Sequence, residues 1–505
     1  MWGGSPEPSG RRPLPIGACA PGGSPEPPHT KEQGMSKLTA AEVESGTVGT
    51  LVRGSRDTVF SNVSIDTRKL LGDEVFFAIR GPNQDGHRFI PDALSKGALG
   101  TVTERRYEFP GEFPEGRVLI KVENTHEALK DLAISVRRHW PGTLVAITGS
   151  MGKTTTREFV AHVLKNQFRV YQTPGNYNNL YGLPLALFGL TADQDFGLFE
   201  MGMSAHGEIA EMCRIASPSI GIITNVAPVH LQFFDTLEDI ARAKGELAQA
   251  LPSDGLLIYN ADDPLVRDIA ARYSGRKISF GFSEGVTVRA DQVQFSGLAE
   301  TRFRLTCGGE SRHTAIPLSG AHYVMNVLPA VALGRHLEIS LSRIIEAFAD
   351  LQHASMRGQI LRFNTGFTII DDSYNSNPNA LMQMIEVLAG IPSFARRILV
   401  AGEMLELGSG ADSFHVQCGR FAANRGIDVV IGVQGAAREI VRAAVDSGMS
   451  GSQTHFYANA EAAAEFIKGE IRSGDLVLIK GSRSVRLEKI IQRLHADFEL
   501  LDDSR

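Results

Sequence analysis

Residues 143–156 read TLVAITGSMGKTTT, and this stretch decides the fold of the surrounding chain. A short apolar run ends at Gly149, and a helix-like stretch follows from Thr155 to about Lys165. Glycines such as Gly149 and Gly152 let backbone N–H groups approach phosphate oxygens, and the amino end of a helix adds a favourable dipole. Strand, loop and helix in this order predict a phosphate-binding loop.

The side chains of the loop support the same prediction. Lys153 can pair with phosphate oxygens, and the hydroxyl of Thr154 is suited to Mg²⁺. The general pattern has a glycine five residues before Gly152, where this chain has Ile147, so the loop is shorter than the standard one. A Gly-rich turn with a solvated lysine is the alternative, and the strand–loop–helix setting disfavours it. We assign nucleotide phosphates to Gly149, Ser150, Met151, Gly152, Lys153, Thr154 and Thr155 and leave the reaction open at this point.

Length and composition limit the class of protein. With 505 residues the chain is too long for a single core, and we expect about three domains. The formal net charge of −6, without a strongly basic segment beyond the first residues, argues against a general nucleic-acid surface. No apolar run approaches the roughly 18 residues that a membrane span requires, and the N-terminus lacks the apolar stretch of a secretory signal. The widely spaced Cys19, Cys213, Cys307 and Cys418 predict neither a zinc site nor a disulfide framework and fit a reducing cytoplasm.

Residues 1–34 differ from the rest of the chain. They are rich in Pro, Gly and Ser, and GGSPEP occurs twice, beginning at Gly3 and at Gly22. Such a segment buries too little apolar surface to offset its ordering entropy, so we predict disorder. Met35 then opens the globular-looking SKLTAAEV. An upstream start codon, an expression artefact and a functional tail remain open as explanations.

The remaining chain predicts an α/β protein. Residues 75–79, VFFAI, are typical of a buried strand in a region of short strands and helices. LFEMG at 198–202 and SIGIITN at 219–225 are apolar runs that end in polar residues, as parallel strands do when both faces are buried. FTIIDDS, RILVAGEM, VVIGV and LVLIKGS repeat this pattern after residue 336. We predict a small mixed α/β domain at 35–124, a central doubly wound domain at 125–335 and a C-terminal Rossmann-like domain at 336–505.

Three further residues are candidates for chemistry at the central strands. Glu200 ends the run GLFE, where a carboxylate can coordinate Mg²⁺. His230 follows in TNVAPVH, and Lys244 lies in ARAKGE on a predicted helix. Taken alone, these residues are more typical of a surface acid, a packed loop histidine and a solvated lysine.

Three later segments resemble binding loops. SGAHYVMN at 319–326 precedes a helix of small residues, and DDSYNSNP at 371–378 ends a strand with acids, amides and proline. KGSR at 480–483 follows the apolar run LVLI. Amides and cations of this kind bind phosphates or sugar hydroxyls, but Asn/Pro clusters also form ordinary turns. Both interpretations remain open from the residues alone.

The order of all these segments resembles that of the Mur ligase family. The likeness covers about residues 36–495 and includes GNYNN, EMGMSAHGEI, GEMLELG and IKGSRSVRLE in addition to the segments above. The phosphate loop is shared by all Mur ligases and by folylpolyglutamate synthetases. DDSYNSNP, GEMLELG and IKGSR are particular to the dipeptide-adding branch of the family. SIDTRK at 64–69 and VFFAIRGPNQDGHRF at 75–89 are similar to the domain that binds the UDP-sugar.

The resemblance implies roles for individual residues. Lys153, Glu200, His230 and Lys244 are the expected catalytic set. Two Mg²⁺ ions are expected at Thr154, Glu200, His230 and Lys244, with Lys244 carbamylated. ATP is expected at the phosphate loop and at Asn260, Asp262, His322, Asn326, Arg357 and Asp372. The UDP part of the substrate is expected at Asp66, Thr67, Arg68, Gly81, Asp85, Gly86 and His87, although DTR and DGH alone are also typical of a strand end and a turn. The dipeptide or its acceptor is expected at Asn375, Asn377, Lys480 and Arg483.

The chain departs from the broader family pattern at some positions. Tyr323 stands where several Mur ligases carry asparagine. A DYAHTP-like segment and a DNPR-like signature, which are typical of the preceding enzyme in the pathway, are absent from the sequence. Both absences favour the dipeptide-adding branch.

The implied activity is the ATP-dependent addition of D-alanyl-D-alanine to UDP-N-acetylmuramoyl-tripeptide through an acyl phosphate. The resemblance implies a monomer without nucleic-acid or membrane partners. The alternatives are another Mur ligase that adds a single amino acid, and a phosphate-loop ATPase that is not a ligase. A motor or switch would not need a UDP-sugar domain, and an inactive relative should have lost Lys153, Glu200 or His230.

Overall fold

The computed structural model describes residues 37–81, 84–229, 231–391 and 393–501. The predicted disorder of residues 1–34 and the predicted role of His230 therefore lie outside the described residues. Three mixed sheets with helices packed against them, and one small antiparallel ladder, make up the described chain. The predicted α/β class with three successive α/β parts is confirmed.

The first part is built on a five-stranded sheet with the strand order β2-β7-β6-β5-β4, in which only β2 and β7 pair antiparallel. The predicted strand at 75–79 is shorter in the structure, because the chain turns after Phe77 and the carbonyl of Ile79 accepts the amide of Gly86. The strands are β1 Leu38–Thr39, β2 Thr50–Arg53, β3 Val59–Phe60, β4 Val63–Ser64, β5 Val75–Phe77, β6 Gly100–Glu104 and β7 Val118–Val122. The helices are α1 Ala40–Gly46, α2 Ile90–Ser95 and α3 Thr125–His139.

The second part is a nine-stranded sheet with the order β16-β15-β14-β13-β12-β11-β8-β10-β9. Strands β8 to β13 are parallel and form a buried apolar layer, whereas β14, β15 and β16 form an antiparallel extension at one edge. The strands are β8 Thr143–Thr148, β9 Val170–Gln172, β10 Phe196–Glu200, β11 Ile220–Ile223, β12 Leu256–Asn260, β13 Arg276–Gly281, β14 Val288–Ser296, β15 Glu300–Cys307 and β16 Glu310–Ile316. The helices are α4 Lys153–Lys165, α5 Gly182–Leu187, α6 Glu208–Ala216, α7 Leu237–Ala250, α8 Pro264–Arg272, α9 Ala321–His336 and α10 Leu341–Glu346.

The third part is a six-stranded sheet with the order β17-β18-β22-β19-β20-β21, parallel except for β17. The last strand along the chain, β22, inserts between β18 and β19, so the carboxyl ends of β18 and β22 lie side by side. The strands are β17 Gln359–Arg362, β18 Thr368–Asp372, β19 Arg396–Gly402, β20 Val429–Val433, β21 Thr454–Tyr457 and β22 Asp475–Lys480. The helices are α11 Pro378–Ala389, α12 Ala411–Asn424, α13 Ala437–Asp446, α14 Ala460–Glu470 and α15 Glu488–His495.

The packing between the second and third parts bears on the predicted boundary at residue 335. Ile339, Ile344 and Leu351 are buried in the same apolar cluster as Val160 of α4. The predicted domain boundaries remain predictions, and this packing argues for a boundary after Leu351. None of the described helices has the length and apolarity needed to cross a membrane.

Candidate active site

The phosphate loop lies at the centre of the carboxyl edge of the nine-stranded sheet. Strand β8 has β10 on one side and β11 on the other, and Glu200 pairs in register with Ile147. Because parallel strands end at the same edge, the loop after β8 meets the residues that follow β10 and β11. The order of the strands thus places Glu200 and Asn225 beside the loop.

Hydrogen bonds from the segment after β11 hold the loop in shape. The Asn225 side chain accepts a hydrogen bond from the Met151 amide at 2.9 Å and donates one to the Met151 carbonyl at 3.1 Å. The Ser150 hydroxyl accepts the Ala227 amide at 2.8 Å. Gly149 has a φ of +151°, and a Cβ at this position would lie 1.8 Å from the Thr224 hydroxyl. Sequence reasoning missed Thr224 and Asn225, although polar residues at the end of an apolar run were a usable signal.

Gly152 caps helix α4 in the left-handed conformation, with a φ of +79°. A Cβ at Gly152 would lie 2.3 Å from the Oδ1 atom of Asn326 on α9. The structure therefore brings the predicted ATP-site residue Asn326 against the phosphate loop. Only a glycine combines this backbone angle with such a close approach.

Lys153 lies at the loop, and the charge of Arg357 acts on it. Lys153 is half-buried and its ammonium donates a hydrogen bond to the Gly149 carbonyl at 2.7 Å. Burial lowers the pKa of Lys153, Glu200 opposes this shift, and the positive charge of Arg357 adds to it. Arg357 comes from the segment before β17, and its guanidinium also stacks over the Tyr374 ring at 4.3 Å. A pair of mutually repelling cations beside a glycine loop suits a polyanion such as a nucleotide phosphate.

Glu200 is 2% exposed and lies between a hydroxyl and a guanidinium. Thr154 donates a hydrogen bond to its Oε2 atom at 3.1 Å, and the Arg157 guanidinium lies 3.0 Å from Oε1. Oε1 has no hydrogen bond among the described residues. A carboxylate with free lone pairs beside a threonine hydroxyl fits the oxygen ligands that Mg²⁺ prefers. Sequence reasoning missed Arg157, because an arginine inside a helix carries no distinguishing signal.

Lys244 on α7 is also 2% exposed. Within the described part of the chain its ammonium has neither a hydrogen bond nor an ion pair. Burial lowers the pKa of Lys244 well below its ordinary value, and the charge of Lys153 lowers it further. The structure therefore favours an uncharged form of Lys244, and the solvated lysine that the sequence left open is excluded.

The predicted adenine-site residues Asn260 and Asp262 shape the neighbouring strand ends. Asn260 donates a hydrogen bond to the Thr224 carbonyl at 2.8 Å, so it supports the segment that holds the loop. Asp262 accepts the amides of Phe282 at 2.6 Å and Ser283 at 3.0 Å. These contacts leave the predicted adenine contact untested.

The third part of the chain brings Asp372 and Lys480 together. They pair in register at the ends of β18 and β22, and the Lys480 ammonium lies 2.6 Å from Asp372 Oδ2. Lys480 also donates to the Asn375 carbonyl at 2.9 Å. Burial lowers the pKa of His322 to about 3, and the charge of Lys480 contributes to this shift. His322, on α9, is therefore neutral near pH 7.

Other residues that the sequence predicts for the dipeptide site have local partners. The Asn377 side chain caps α11 by accepting the Ala380 amide at 2.9 Å, and Asn375 accepts the amide of its neighbour Ser376. Arg483 is exposed, and its guanidinium lies 6.0 Å from the Tyr374 ring centre. Tyr374 thus lies between Arg357 and Arg483, which sequence reasoning did not anticipate.

The predicted UDP-sugar residues form two small clusters in the first part of the chain. Arg68 donates two hydrogen bonds to Asp66, at 2.9 Å and 2.7 Å, and thereby lowers the pKa of Asp66 to about 2. Thr67 is buried between them.

In the second cluster, Asp85 accepts a hydrogen bond from His87 Nδ1 at 2.6 Å. A Cβ at Gly86 would meet the Ile79 carbonyl at 2.6 Å, whereas Gly81 is less crowded. Neither cluster contacts the phosphate loop in the described residues.

Comparison with known proteins identifies the family to which this chain belongs. Family models match the Mur ligase catalytic domain at residues 59–137, the Mur ligase middle domain at 147–334 and the Mur ligase glutamate ligase domain at 356–483. The chain therefore belongs to the Mur ligase family. Its members are ATP-dependent, ADP-forming ligases that make amide bonds, and this chain is an enzyme of that class.

Individual relatives have more specific names than the family models. The UDP-N-acetylmuramoyl-tripeptide–D-alanyl-D-alanine ligase of Bacillus subtilis is 32% identical over 461 residues, which are 91% of this chain and 99% of that protein. A crystal structure of MurF from Acinetobacter baumannii has a TM-score of 0.82 at 26% identity and covers 92% of this chain and 100% of its own. The crystal structure of MurF from Thermotoga maritima in complex with ADP has a TM-score of 0.76 at 28% identity. The match covers 86% of this chain and 97% of that chain.

Proposed function

We propose that this chain joins D-alanyl-D-alanine to UDP-N-acetylmuramoyl-tripeptide and forms the UDP-MurNAc-pentapeptide precursor of peptidoglycan. Three relatives that are 32% identical to this chain are UDP-N-acetylmuramoyl-tripeptide–D-alanyl-D-alanine ligases, which supports this substrate pair. The observation that carries the proposal is the glycine loop with Lys153, whose neighbour Thr154 donates a hydrogen bond to the buried Glu200, and on which the charge of Arg357 acts. One cation comes from the central sheet and the other from the segment leading to the C-terminal sheet, as expected for a site assembled between two parts of a ligase.

The chemistry follows from the poor reactivity of a free carboxylate. An amine cannot displace oxide, so the tripeptide carboxylate first attacks the γ-phosphorus of ATP and gives an acyl phosphate and ADP. The dipeptide amine, after losing its ammonium proton, then attacks the acyl carbon, and phosphate leaves as the amide forms. Lys153 and the loop amides hold the phosphates, while Arg357 faces the charge that develops. The main tasks of the protein are therefore to position the substrates and to stabilise the negative charge that develops during the reaction.

We propose that Thr154 and Glu200 hold Mg²⁺, and that His230 and Lys244 contribute to a second ion. When bound, Mg²⁺ neutralises phosphate charge. The buried Glu200 carboxylate, whose Oε2 atom lies beside the Thr154 hydroxyl, supports the first assignment. The burial of Lys244 supports its carbamylation, because only the uncharged amine can attack CO₂, and loss of one proton then leaves a carbamate anion.

The remaining site assignments also belong to this proposal. The first part of the chain, at 35–124, binds the UDP-sugar, the central part ATP and the C-terminal part the dipeptide. We propose a monomer that works in the cytoplasm, in keeping with three free, buried cysteines in the described residues. UDP contacts are proposed for Asp66, Thr67, Arg68, Gly81, Asp85, Gly86 and His87, ATP contacts for Asn260, Asp262, His322, Asn326, Arg357 and Asp372, and dipeptide contacts for Asn375, Asn377, Lys480 and Arg483.

The direct test is phosphate release with UDP-MurNAc-tripeptide and ATP, with and without D-Ala-D-Ala. We expect sustained release only with the dipeptide, and a product whose mass equals that of the pentapeptide. D-alanine alone and L-Ala-L-Ala serve as matched amine controls and should give little product. Sustained release that does not require the dipeptide would overturn the proposal.

A further inference from the structure

Tyr323 lies at the junction between the central sheet and the C-terminal sheet. It is on α9 and is 4% exposed. Its hydroxyl donates a hydrogen bond to the Arg357 carbonyl at 2.8 Å and lies 3.1 Å from Nδ1 of His353. Its ring is 6.5 Å from that of Phe159 on α4, the helix that follows the phosphate loop. One side chain thus connects the phosphate-loop helix with the segment that carries Arg357.

The protons of this cluster have defined positions. The single hydroxyl proton of Tyr323 is used in the hydrogen bond to the Arg357 carbonyl. The Tyr323 oxygen must therefore accept its second hydrogen bond from Nδ1 of His353. Burial lowers the pKa of His353 to about 4 and raises that of Tyr323 well above its ordinary value. At neutral pH the imidazole is therefore neutral with its proton on Nδ1, and the hydroxyl keeps its own. Both hydrogen bonds are then satisfied in one arrangement.

The segment that Tyr323 contacts is otherwise bonded to the C-terminal sheet. The Met356 carbonyl accepts the Tyr374 amide at 3.2 Å, and the Gly358 amide donates to the Asp371 carbonyl at 2.8 Å. Among the described residues, Tyr323 makes the hydrogen bonds that tie residues 353–358 to the central part. A Cβ at Gly358, where φ is +78°, would lie 2.0 Å from the Tyr323 hydroxyl. The contact therefore depends on a glycine at this position.

The side chain of Arg357 begins at this anchor and carries its guanidinium to the Tyr374 ring. Its guanidinium stacks over Tyr374, and its charge reaches the Lys153 ammonium. Fixing the carbonyl of a residue restricts where its long side chain can reach, and such orientation matters for phosphoryl transfer. A small displacement of residues 353–358 would move Arg357 relative to the loop.

We propose that Tyr323 is a positioning residue whose hydroxyl, held between the Arg357 carbonyl and His353 Nδ1, orients Arg357 toward the phosphates of ATP. The effect on turnover rests on the ligase function proposed above. The anchoring of residues 353–358 does not rest on it and can be measured without any substrate.

The test compares Tyr323→Phe with Tyr171→Phe in the full chain. Tyr171 is a matched control, because it is also 4% exposed and its hydroxyl also donates to a backbone carbonyl, that of Ala186, at 2.7 Å. In Tyr323→Phe we expect hydrogen exchange of the amides at 354–358 to become at least about fivefold faster, since an anchoring bond is lost. We expect kcat to fall about tenfold with little change in the KM for ATP. Tyr171→Phe should change neither quantity.

His353 variants separate the hydrogen bond from the packing. His353→Asn keeps an N–H donor near the position of Nδ1 and should retain most of the activity, whereas His353→Leu should resemble Tyr323→Phe. The double variant Tyr323→Phe/His353→Leu should be little worse than either single one, because both remove the same cluster. Equal exchange rates and equal kcat in Tyr323→Phe and Tyr171→Phe would overturn the proposal. If the wild-type chain forms no amide, only the proposed ligase function is contradicted. The hydrogen-exchange measurement still tests whether Tyr323 anchors residues 353–358.

Discussion

At the scale of single residues, the site is defined by charges that lack full compensation. Lys153 and Arg357 repel one another at the loop, and Lys244 is buried without a partner in the described residues. Burying an unpaired charge is costly, and groups with strongly shifted pKa values tend to cluster at functional sites. A bound polyanion would relieve this cost at Lys153 and Arg357, whereas Lys244 avoids it by being uncharged.

Lys153→Ala should abolish ADP formation while leaving the free energy of unfolding almost unchanged. The substitution removes a cation that stabilises developing phosphate charge, and such groups are worth about 10²–10³ in kcat. ADP release under saturating substrates measures the loss, and thermal unfolding measures stability. Lys165→Ala, at the other end of the same helix, is the control and should keep its activity. Turnover at the wild-type rate in Lys153→Ala would remove Lys153 from the phosphate site.

Lys244→Ala should lose activity that a short-chain carboxylic acid partly restores. If Lys244 carries a carbamate, the variant leaves a cavity in which an added carboxylate can supply the missing anion. Lys130→Ala is the control, because Lys130 is buried but ion-paired with Glu127 at 2.8 Å. The assay is phosphate release with and without acetate or propionate. Full activity of Lys244→Ala without any added acid would contradict the assignment.

At the scale of elements, the helix after the phosphate loop begins on a left-handed glycine pressed against Asn326. Gly152→Ala should weaken ATP binding by about tenfold or more, because the new Cβ displaces Asn326 and shifts the loop amides away from the phosphates. The same change should also lower the free energy of unfolding by about 1–2 kcal/mol, owing to the strained backbone angle. Calorimetric titration of ATP and thermal unfolding provide the two measurements.

Gly207 offers a matched control for this prediction. It caps α6 with a φ of +85°, close to that of Gly152, but a Cβ there would meet nothing within 4 Å. Gly207→Ala should therefore show a similar loss of stability and unchanged ATP affinity. If both variants bind ATP like the wild type, crowding at Gly152 has no part in nucleotide binding.

At the scale of the whole molecule, the central and C-terminal parts are joined by contacts between distant segments. The segment GEMLELG of the third part also contacts the central part, where the Gln232 amide donates to the Glu406 carbonyl at 3.2 Å. Together with the Tyr323 cluster, this contact connects the central part of the chain with the C-terminal part. A site shared between sheets lets their relative movement control the chemistry.

A chain that begins at Met35 should match the full chain in unfolding temperature and in turnover. Residues 1–34 have the composition of a segment that forms no core of its own, so their removal should cost no packing. Differential scanning calorimetry and the dipeptide-dependent assay on both chains test this. A drop of several degrees, or a clear loss of turnover, would show that the segment contributes to the folded enzyme.

The sequence by itself determined the fold class, the phosphate loop and the family. Strand–glycine–lysine order, polar residues at strand ends and the succession of motifs are local features, because each depends on residues close in the chain. The family models, the relatives and the solved structures confirm the fold class and the family.

Only the tertiary structure decided which side chains meet. Strand order brought Glu200 and Asn225 to the loop and paired Asp372 with Lys480, which are far apart in the chain. Arg157 and Tyr323 carried no local signal, since an arginine or a tyrosine within a helix is ordinary until its neighbours from other elements are known. Burial and partner geometry are set by contacts between distant segments, and for that reason the pattern of a single segment cannot reveal them.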